Sequence, residues 1–336
     1  MSKVRKRLKV LCALMIMLVS TSGLFADDFS GWLKRMPITF SGYTKSEDLV
    51  NFPALIVLEE TEAGVGFKYS DFLSPPFDDL RFVAEDLETP LNFEVESWDV
   101  NGQSFVWVQI PELAPNTKIY ALWGKADEEL LVPASSVWDD SYKSVLHLND
   151  DTNDATENQN HATNYNAVRG TGIIGGGYDF RRGEPSYLDT PSNVKGYGIT
   201  DSFTFSCWFK TRLTSSQVLI EDGTSYGNIS ARLRVSGTKV ALQVYTPSRA
   251  FNDNLDVGTV GTNWHHIALV YNGKHAKMYF DSVEKWSASL TGDVKDANSR
   301  LQLGCAPNGA SAFFEGVMDE ARLSSVGRSA DWIWAC

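Results

Sequence analysis

Two acidic segments of this sequence carry side chains suited to binding a hard cation. The stretch 149–154 reads Asn-Asp-Asp-Thr-Asn-Asp, and Asp319 and Glu320 stand side by side near the C-terminal end. Calcium takes its ligands from carboxylate, amide and backbone carbonyl oxygens, and both segments are rich in them. We therefore predict Asp154 and Asp319 as calcium ligands. The alternative is that 149–154 is a solvated acidic turn and that Asp319 is a buried partner of Arg322 or of backbone amides.

A further acidic segment places carboxylates at positions i, i+2 and i+5, namely Glu94, Glu96 and Asp99. This spacing is close to that of some retaining glycosidases, whose two catalytic carboxyls lie about 5–5.5 Å apart. On a regular strand, however, Glu94 and Glu96 share one face and Asp99 takes the other. We interpret the segment as the solvent-facing side of a strand and predict no catalytic residues. A glycosidase remains the less favoured alternative.

The aromatic residues suggest where a sugar would bind. Most of the 10 Trp, 12 Tyr and 18 Phe residues should be buried, because β-sandwiches bury alternating aromatic positions. A sugar site needs a few exposed rings with carboxylates or amides beside them. Six residues in polar, loop-like surroundings are predicted to bind ligand: Tyr226, Asn228, Tyr245, Phe251, Asn252 and Trp286.

Histidine and cysteine spacing indicates no zinc site. His265 and His266 are adjacent, so on a strand they point to opposite faces and do not easily chelate one metal. The cysteines expected in the mature chain are Cys207, Cys305 and Cys336, and none has CxxC or Cys/His spacing. Three cysteines allow three disulfide pairings, among which the sequence does not choose. We favour Cys207 and Cys305 as small apolar strand residues.

The first 26 residues have the composition of a secretory signal peptide. Basic residues between Lys3 and Lys9 precede an apolar run at 10–19, and Ala26 ends a short cleavage region. The apolar run is about half as long as the roughly 20 residues that a membrane-spanning helix needs. We predict cleavage after Ala26 and an exported chain without a transmembrane segment: periplasmic, secreted or associated with the cell surface. An uncleaved N-terminal anchor is the alternative.

The charge balance argues against nucleic acid as a partner. The 336 residues include 30 basic and 42 acidic ones, for a net charge of −12. Without the predicted signal peptide, 25 basic residues face 42 acidic ones, and the net charge becomes −17. Phosphate backbones are held by clustered Lys and Arg, so we predict no nucleic-acid partner.

Beyond residue 30 the sequence alternates short β-rich runs with Gly, Asn, Asp and Pro. This pattern is typical of all-β sandwiches or barrels. Asn-Gly pairs at 101–102 and 272–273 predict hairpins, and Ser329 is a plausible N-cap for one helix at 328–335. A charged stretch and a Pro/Ser-rich stretch predict a linker at 125–140, between domains at 27–124 and 141–336. The predicted strands are 37–40, 54–58, 80–83, 92–98, 104–110, 118–123, 204–210, 231–235, 240–245, 265–271, 276–281 and 300–304.

The second half resembles the LamG-like, or concanavalin A-like, jelly-roll domains of secreted bacterial proteins. The matching stretches occur in order at 145–148, 154–161, 178–180, 187–188, 203–209, 264–271, 278–281 and 314–324. The resemblance implies a jelly-roll sandwich whose two chain ends lie close together, and domains of this family often hold calcium. A calcium ion between Asp154 and Asp319 would then tie the terminal strands. Relatives in this family often have Phe-Asp-Gly at the position where this chain has Phe180, Arg181 and Arg182.

The first half resembles a secreted bacterial β-domain of unknown function that often precedes LamG-like modules. The stretches that carry this resemblance are 32–40, 51–55, 66–72, 79–82, 94–98 and 106–111. In some relatives the pair of domains precedes a proton channel of the ExbB/TolQ type. The resemblance to LamG-like modules implies a binding function, because they usually recognise glycans or proteins.

Together these observations predict an exported, non-enzymatic binding or adhesion module of the cell envelope. Its predicted ligand is a polysaccharide or glycoprotein, recognised by loop residues on a rigid sandwich. The alternative is a structural or interaction component of an envelope complex, related to the channel-linked proteins. That alternative would bind an envelope protein rather than a glycan.

Overall fold

The computed structural model describes residues 29–61, 66–129, 134–225, 228–247, 250–258, 260–306 and 311–336. The chain divides into two compact units, the first up to Asp139 and the second from Asp140. Antiparallel strands make up nearly all of the regular secondary structure of both units, so the predicted all-β fold is confirmed. The predicted signal peptide lies outside the described residues. Within the described ranges, no helix has the length and apolar character that a membrane crossing requires.

The first unit contains two antiparallel sheets. Its described strands are β1 (Lys34–Thr39), β2 (Leu49–Leu58), β3 (Arg81–Ala84), β4 (Pro90–Leu91), β5 (Phe93–Ser97), β6 (Ser104–Leu113) and β7 (Lys118–Trp123). One sheet has the order β1-β7-β3-β4 and the other the order β2-β6-β5. Alternate residues of β2 and β6 are buried, for example Ala54 opposite Val108 and Ile56 opposite Val106. The period of two is that of strands with one face in a core.

A buried carboxylate holds the loops of the first unit together. Asp79 is 0% exposed and accepts hydrogen bonds from the backbone N–H groups of Leu73, Ser74, Gly124 and Lys125, at 2.7–3.3 Å. These donors come from two segments about fifty residues apart in the sequence. The chain leaving β7 is therefore fixed to the loop that precedes β3.

Much of the predicted linker at 125–140 packs on the first unit. The carboxylate of Glu128 contacts Arg81 at 3.0 Å, and a 3₁₀ helix forms at Ala134–Val137. The Trp138 indole N–H donates to Glu94 at 2.8 Å, and its ring lies 5.7 Å from that of Trp107. The described residues of this segment up to Asp139 thus belong to the first unit.

The second unit is a sandwich of an eight-stranded and a seven-stranded sheet. The larger sheet has the order β10-β11-β22-β13-β18-β19-β20, with β8 also paired to β22, and the smaller has the order β17-β16-β15-β14-β21-β12-β9. The strands are β8 (Tyr142–Leu146), β9 (Thr163–Tyr165), β10 (Val168–Thr171), β11 (Gly176–Phe180), β12 (Tyr187–Asp189), β13 (Phe203–Thr211), β14 (Gln217–Ser225), β15 (Asn228–Ser236), β16 (Lys239–Tyr245), β17 (Ala250–Asp256), β18 (His265–Tyr271), β19 (His275–Phe280), β20 (Val283–Ser289), β21 (Leu301–Leu303) and β22 (Gly316–Ser324).

One hydrophobic cluster lies between the two sheets of the second unit. It includes Ile220 and Leu242 from the smaller sheet and Phe205 and Leu269 from the larger one. The first strand of the unit, β8, pairs with the last, β22, with Leu146 opposite Ala321. The two chain ends of the jelly roll are therefore neighbours, as the resemblance implied.

The predicted C-terminal helix is present as α1 (Ala330–Ala335). The Ser329 hydroxyl accepts the backbone N–H of Trp332 at 3.1 Å, which confirms Ser329 as the N-cap. The Arg328 guanidinium lies 3.8 Å from the Trp332 ring centroid and 4.8 Å from that of Tyr142. These contacts fix the helix against the start of the second unit.

Candidate functional site

A row of polar side chains crosses the seven-stranded sheet on the face that points away from the core. Its members are cross-strand neighbours on five adjacent strands: Asp189 on β12, Gln302 on β21, Glu221 on β14, Arg232 on β15 and Gln243 on β16. Each is adjacent in sequence to a residue of the core cluster. Because successive side chains of a strand point to opposite faces, this polar row lies on the outer face.

The centre of the polar row is a nearly inaccessible ion pair. Glu221 and Arg232 are 1% and 3% exposed. The Arg232 guanidinium donates twice to the Glu221 carboxylate, and its Nη1 donates to Gln243 at 2.8 Å. Burial raises the pKa of Glu221, while the hydrogen bonds and charge of Arg232 act in the opposite direction. Because these charges satisfy one another, ligand contacts must come from more exposed groups beside the row.

Such exposed groups lie at the β9 end of the row. The rings of Tyr165 and Tyr187 stack in parallel, with centroids 4.4 Å apart and planes 8° apart. Beside them, the Arg300 guanidinium donates to Asp189 at 2.7 Å, and Gln302 donates to the other oxygen of Asp189 at 3.3 Å. Tyr165 is 40% exposed and the Arg300 side chain 60%. We call Tyr165, Tyr187 and Arg300 the tyrosine–arginine cluster.

The tyrosine–arginine cluster combines two chemical functions. A tyrosine ring offers a flat apolar face with a polar hydroxyl at its tip. A guanidinium has five N–H donors in a fixed planar arrangement, so the pair with Asp189 leaves donors for a ligand. The cluster can therefore contact an apolar ligand face and hydrogen-bond to ligand oxygens at once.

The predicted ligand-binding residues do not form one group. Tyr245 ends β16 on the outer face of the seven-stranded sheet, with the Lys295 ammonium 5.9 Å from its ring centroid. Trp286 belongs to β20 of the other sheet and packs against the core cluster. Asn228 begins β15, and Phe251 and Asn252 lie in β17, but their side chains are outside the described part, as is Tyr226. Their ligand-binding role stays a prediction.

The first predicted calcium ligand, Asp154, has a full set of hydrogen-bond donors. Its two oxygens accept from the backbone N–H groups of Val145, Thr156 and Asn160 and from the Thr156 hydroxyl, at 2.8–3.0 Å. An ionised carboxylate offers about four lone-pair directions, so these four bonds occupy it. A calcium ion at Asp154 would have to displace at least one donor.

The second predicted ligand, Asp319, is held by one oxygen only. Its Oδ2 accepts the backbone N–H groups of Ile173 and Ile174 at 2.7 and 2.9 Å, whereas Oδ1 is buried without a hydrogen bond among the described residues. Burial, and secondarily the charge of Glu320, raises the pKa of Asp319. Backbone amides are thus partners of Asp319, as the alternative interpretation predicted. Calcium binding at Asp154 and Asp319 stays a prediction.

The glycosidase-like acids of the first unit are engaged by tryptophans. Glu94 accepts the indole N–H of Trp138 at 2.8 Å, and Glu96 accepts that of Trp107 at 2.6 Å. Both glutamates lie on β5, whose residue Phe93 is buried. These bonds give the two carboxylates a structural role.

The remaining histidines, cysteines and serine motif of the second unit that could be reactive are held by packing or hydrogen bonds, or lie in a strand. His265 stacks on Phe280 and bonds to Asp281 at 3.0 Å, while His266 lies beside Trp208. Cys207 and Cys305 are buried and Cys336 is less buried, and these three cysteines of the described residues form no disulfide. The stretch 223–227 matches the Gly-x-Ser-x-Gly pattern of hydrolases, which requires a strand-to-helix turn. Here it connects β14 to β15, so that context is missing.

Sequence patterns did not reveal the tyrosine–arginine cluster. Tyr165 and Tyr187 are 22 residues apart, and Arg300 is 113 residues beyond Tyr187. The strands β9 and β12 that carry the tyrosines have three residues each, too few for a clear alternation. Only the register Tyr165 opposite Tyr187 brings the rings together. The sequence signal available for this cluster was Tyr187 two residues before Asp189, which is too common a pattern to indicate a site.

Comparison with protein families gives two matches. Residues 182–334 match Laminin_G_3, the concanavalin A-like lectin/glucanases superfamily. Residues 76–161 match a domain of unknown function, DUF2341, and this match extends from the first unit into the second. A search of curated proteins found no match.

Several solved structures are similar over somewhat more than half of the chain. Domain 4 of AbnA, a GH43 extracellular arabinanase from Geobacillus stearothermophilus solved with arabinotriose, has 18% identity and a TM-score of 0.48, covering 58% of this chain and 97% of that one. The binding domain of Paraclostridial Mosquitocidal Protein 1 has 13% identity and a TM-score of 0.48, covering 58% and 51%. The receptor-binding domain of botulinum neurotoxin type G has 12% identity and a TM-score of 0.43, covering 57% and 49%. The matched region thus spans about half the length of the two toxin domains.

Proposed function

We propose that the second unit is a non-enzymatic carbohydrate-binding module and that the tyrosine–arginine cluster is its contact surface. The observation that carries this proposal is the parallel stack of Tyr165 and Tyr187 beside the exposed, carboxylate-held Arg300. Sugars present apolar C–H faces between hydroxyl groups, which suits an aromatic ring next to a fixed donor. The superfamily match at 182–334 supports this ligand class.

The hydrogen bonds around the cluster favour binding over catalysis. Glycoside hydrolysis needs two carboxyls free to act on opposite sides of the scissile bond. Asp189 is bonded to Arg300 and Gln302, and Glu221 to Arg232. Both carboxylates therefore position other side chains, and we assign neither a catalytic role.

The proposal extends to the place where the protein acts. The basic and apolar segments of residues 1–26 support export, and the predicted net charge of −17 suits a chain that works outside the cytoplasm. The ligand would then be a polysaccharide or glycoprotein of the cell envelope or its surroundings. The first unit is assigned no separate ligand.

A polysaccharide pull-down and titration with the purified chain tests the proposal. We expect Tyr165→Ala and Arg300→Ala each to weaken binding about tenfold, the equivalent of about 1.4 kcal/mol. Tyr165→Phe keeps the ring and should bind nearly as well as the parent chain. Arg169→Ala is the matched control, because Arg169 is also 60% exposed and paired with an aspartate, Asp150, but lies on the other sheet.

Three results would contradict the proposal. One is that no glycan binds, while an envelope protein is recovered; this would favour the envelope-complex alternative, including a link to ExbB/TolQ-type channels. Another is binding that Tyr165→Ala leaves unchanged but Tyr245→Ala abolishes, which would move the site to the other end of the polar row. The third is sugar release that Glu94→Gln abolishes, which would restore the glycosidase alternative.

A further inference from the structure

The tyrosine–arginine cluster and Asp189 together carry no net charge. The Arg300 guanidinium donates to Asp189 Oδ2 at 2.7 Å. The Asp189 side chain is only 9% exposed, whereas that of Arg300 is 60% exposed. A ligand that reaches Arg300 therefore contacts a guanidinium whose charge is already balanced by a nearly buried carboxylate.

The position of Asp189 is set by strand register. Asp189 lies on β12, between Thr163 of β9 and Gln302 of β21. Its Oδ1 accepts the side-chain amide of Gln302 at 3.3 Å, which leaves Oδ2 for Arg300. Because the strands on both sides hold this residue in register, the neutralising carboxylate stays beside Arg300 when a ligand binds.

The two arginines that precede Tyr187 in the sequence are bound to residues outside the cluster. Arg181 Nε lies 3.6 Å from an oxygen of Asp179. Arg182 Nη1 donates to the Ser215 hydroxyl at 2.8 Å. Both guanidinium groups are therefore engaged elsewhere, and neither provides a second cation for a ligand at the cluster.

The cations on the outer face of the same sheet are too distant to change this balance. Arg232 and Arg234 lie on β15, three strands away from β12. Neighbouring strands are about 4.8 Å apart, so the separation is about 14 Å. Interactions of exposed charges are screened over about 8 Å at physiological ionic strength. Arg232 is also neutralised by Glu221. The charge that a ligand meets at the cluster is therefore set locally.

The tyrosines contribute contacts that involve no charge. Their stack covers one face of each ring, and Tyr165 lies on β9, the edge strand of its sheet. The face of Tyr165 that points away from Tyr187 can thus contact the C–H groups of a sugar. Burial raises the pKa of Tyr187, so its hydroxyl stays protonated and neutral at physiological pH.

We propose that the tyrosine–arginine cluster selects uncharged polysaccharides, and that Asp189 determines this selectivity by neutralising Arg300. The selectivity rests on the carbohydrate-binding function proposed above. Without Asp189, the guanidinium would attract the carboxylates of uronic acids through two parallel hydrogen bonds. With Asp189 in place, an acidic sugar gains little from Arg300 and is repelled by the acidic excess of the whole chain. Asp189 acts through Arg300 and is a positioning residue.

The test compares neutral polysaccharides with their own carboxylated forms. Galactan, mannan and β-glucan are titrated against the purified chain, beside the same polymers after oxidation of their primary hydroxyl groups to carboxylates. We expect at least one neutral polymer to bind, and its oxidised form to bind about tenfold more weakly. Raising the NaCl concentration should reduce this difference, because salt screens the repulsion.

Asp189→Asn removes the neutralising charge and keeps a side chain that can still bond to Arg300 and Gln302. We expect this variant to bind the oxidised polymer about tenfold more tightly than the parent chain does, with an affinity that falls as NaCl is raised. A purely structural role of Asp189 would instead weaken binding of both forms alike. Asp150→Asn is the matched control, because Asp150 also pairs with an exposed arginine, Arg169, and its loss changes the net charge equally. It should keep the preference for the neutral polymer.

The outcomes separate the selectivity from the proposed function. If no polymer binds in either form, both are overturned. If the oxidised form binds as tightly as the neutral one, or more tightly, carbohydrate binding stands and the selectivity is overturned. The same holds if Asp189→Asn keeps the preference of the parent chain, or if Asp150→Asn loses it. Should Asp189→Asn fail to fold, the salt dependence of the parent chain decides. Binding of the oxidised polymer that weakens as NaCl is raised would show attraction to Arg300 and contradict its neutralisation.

Discussion

Asp79 in the first unit and Asp222 in the second are both 0% exposed, yet they are held in very different ways. Asp79 accepts four backbone N–H groups, whereas Asp222 accepts one, from Val194, and its buried Oδ1 has no hydrogen bond among the described residues. The four donors of Asp79 replace the water that the carboxylate lost on folding. Burial alone therefore does not define the role of an acidic side chain. A carboxylate whose oxygens have a full set of donors holds loops together, whereas a buried carboxylate oxygen without a donor makes the ionised form costly, and burial raises the pKa of Asp222 to about 6.

Other ionisable groups of the two units are also held to different extents. In the first unit Glu94 and Glu96 each accept an indole N–H through one oxygen. In the second unit His266 Nδ1 and Asp319 Oδ1 are buried atoms that have no hydrogen bond among the described residues.

The largest effect is expected for Asp79→Ala. It leaves four backbone N–H groups of two distant segments without an acceptor, and we expect a loss of about 3–5 kcal/mol in the free energy of unfolding. Urea unfolding measures this loss. Asp78→Ala, at the half-buried neighbouring position, is the control and should stay within about 0.5 kcal/mol of the parent. A loss below 1 kcal/mol for Asp79→Ala would contradict a structural role for this carboxylate.

The next effect is the dependence of stability on pH through His266. Burial, with a contribution from Arg322, lowers the pKa of His266 from 6.5 to about 4 in the folded chain. As the pH falls, the unfolded chain binds the proton first. The contribution of neutral His266 to the free energy of unfolding is therefore complete above pH 6.5 and is lost towards pH 4. The difference between the unfolded and folded pKa values corresponds to about 3 kcal/mol of that free energy. Unfolding in chelator across this range should show the slope, and His266→Leu should flatten it. An unchanged slope in that variant would assign the pH dependence to other groups.

A smaller effect is expected for Asp154→Ala, although Asp154 also has four donors. Its donors all lie within residues 145–160, and the side chain is 5% exposed, so water and local rearrangement can replace part of what is lost. We expect about 2 kcal/mol. The loss should be the same in chelator and in calcium. A loss that doubles in calcium would instead make Asp154 a metal ligand, as the sequence predicted.

The smallest effect is expected for Asp222→Asn in the presence of chelator. The amide oxygen can still accept the Val194 N–H, and the buried charge is removed. We therefore expect a free energy of unfolding within about 1 kcal/mol of the parent's, and higher rather than lower. Thermal and urea unfolding at pH 7 measure the difference. A loss comparable to that of Asp79→Ala would mean that Asp222 is a structural carboxylate too.

Much of the fold could be predicted from local patterns. The predicted bounds of β7 and β18 match those observed, because both strands are apolar runs ended by turn residues. Asn272-Gly273 forms the predicted hairpin, with Gly273 at a φ of 78° that glycine adopts without strain. Strands such as β9, β10 and β20 were not predicted, because they are short or largely exposed and show little hydrophobic alternation.

The candidate sites were predicted less well than the strands. The sequence placed ligand residues by polar surroundings, which selected both Tyr245 on one sheet and Trp286 on the other. It placed calcium ligands by acid content, which does not distinguish the fully bonded Asp154 from Asp319, whose Oδ1 has no hydrogen bond among the described residues. Acid content and aromatic content are local properties, whereas the number of donors around a carboxylate depends on distant segments.

The strand pattern, the all-β class and the Ser329 cap follow from residues that are near one another in the sequence, and the acidic balance follows from composition. Which side chains contact one another depends on the packing of distant segments. Tyr165 and Tyr187 are brought together by sheet register, and Asp79 is joined to the backbone of Gly124 and Lys125 by loop packing. The physical reason is that hydrogen-bond register and loop packing join residues up to 135 positions apart, from Tyr165 to Arg300, and no local pattern encodes those distances.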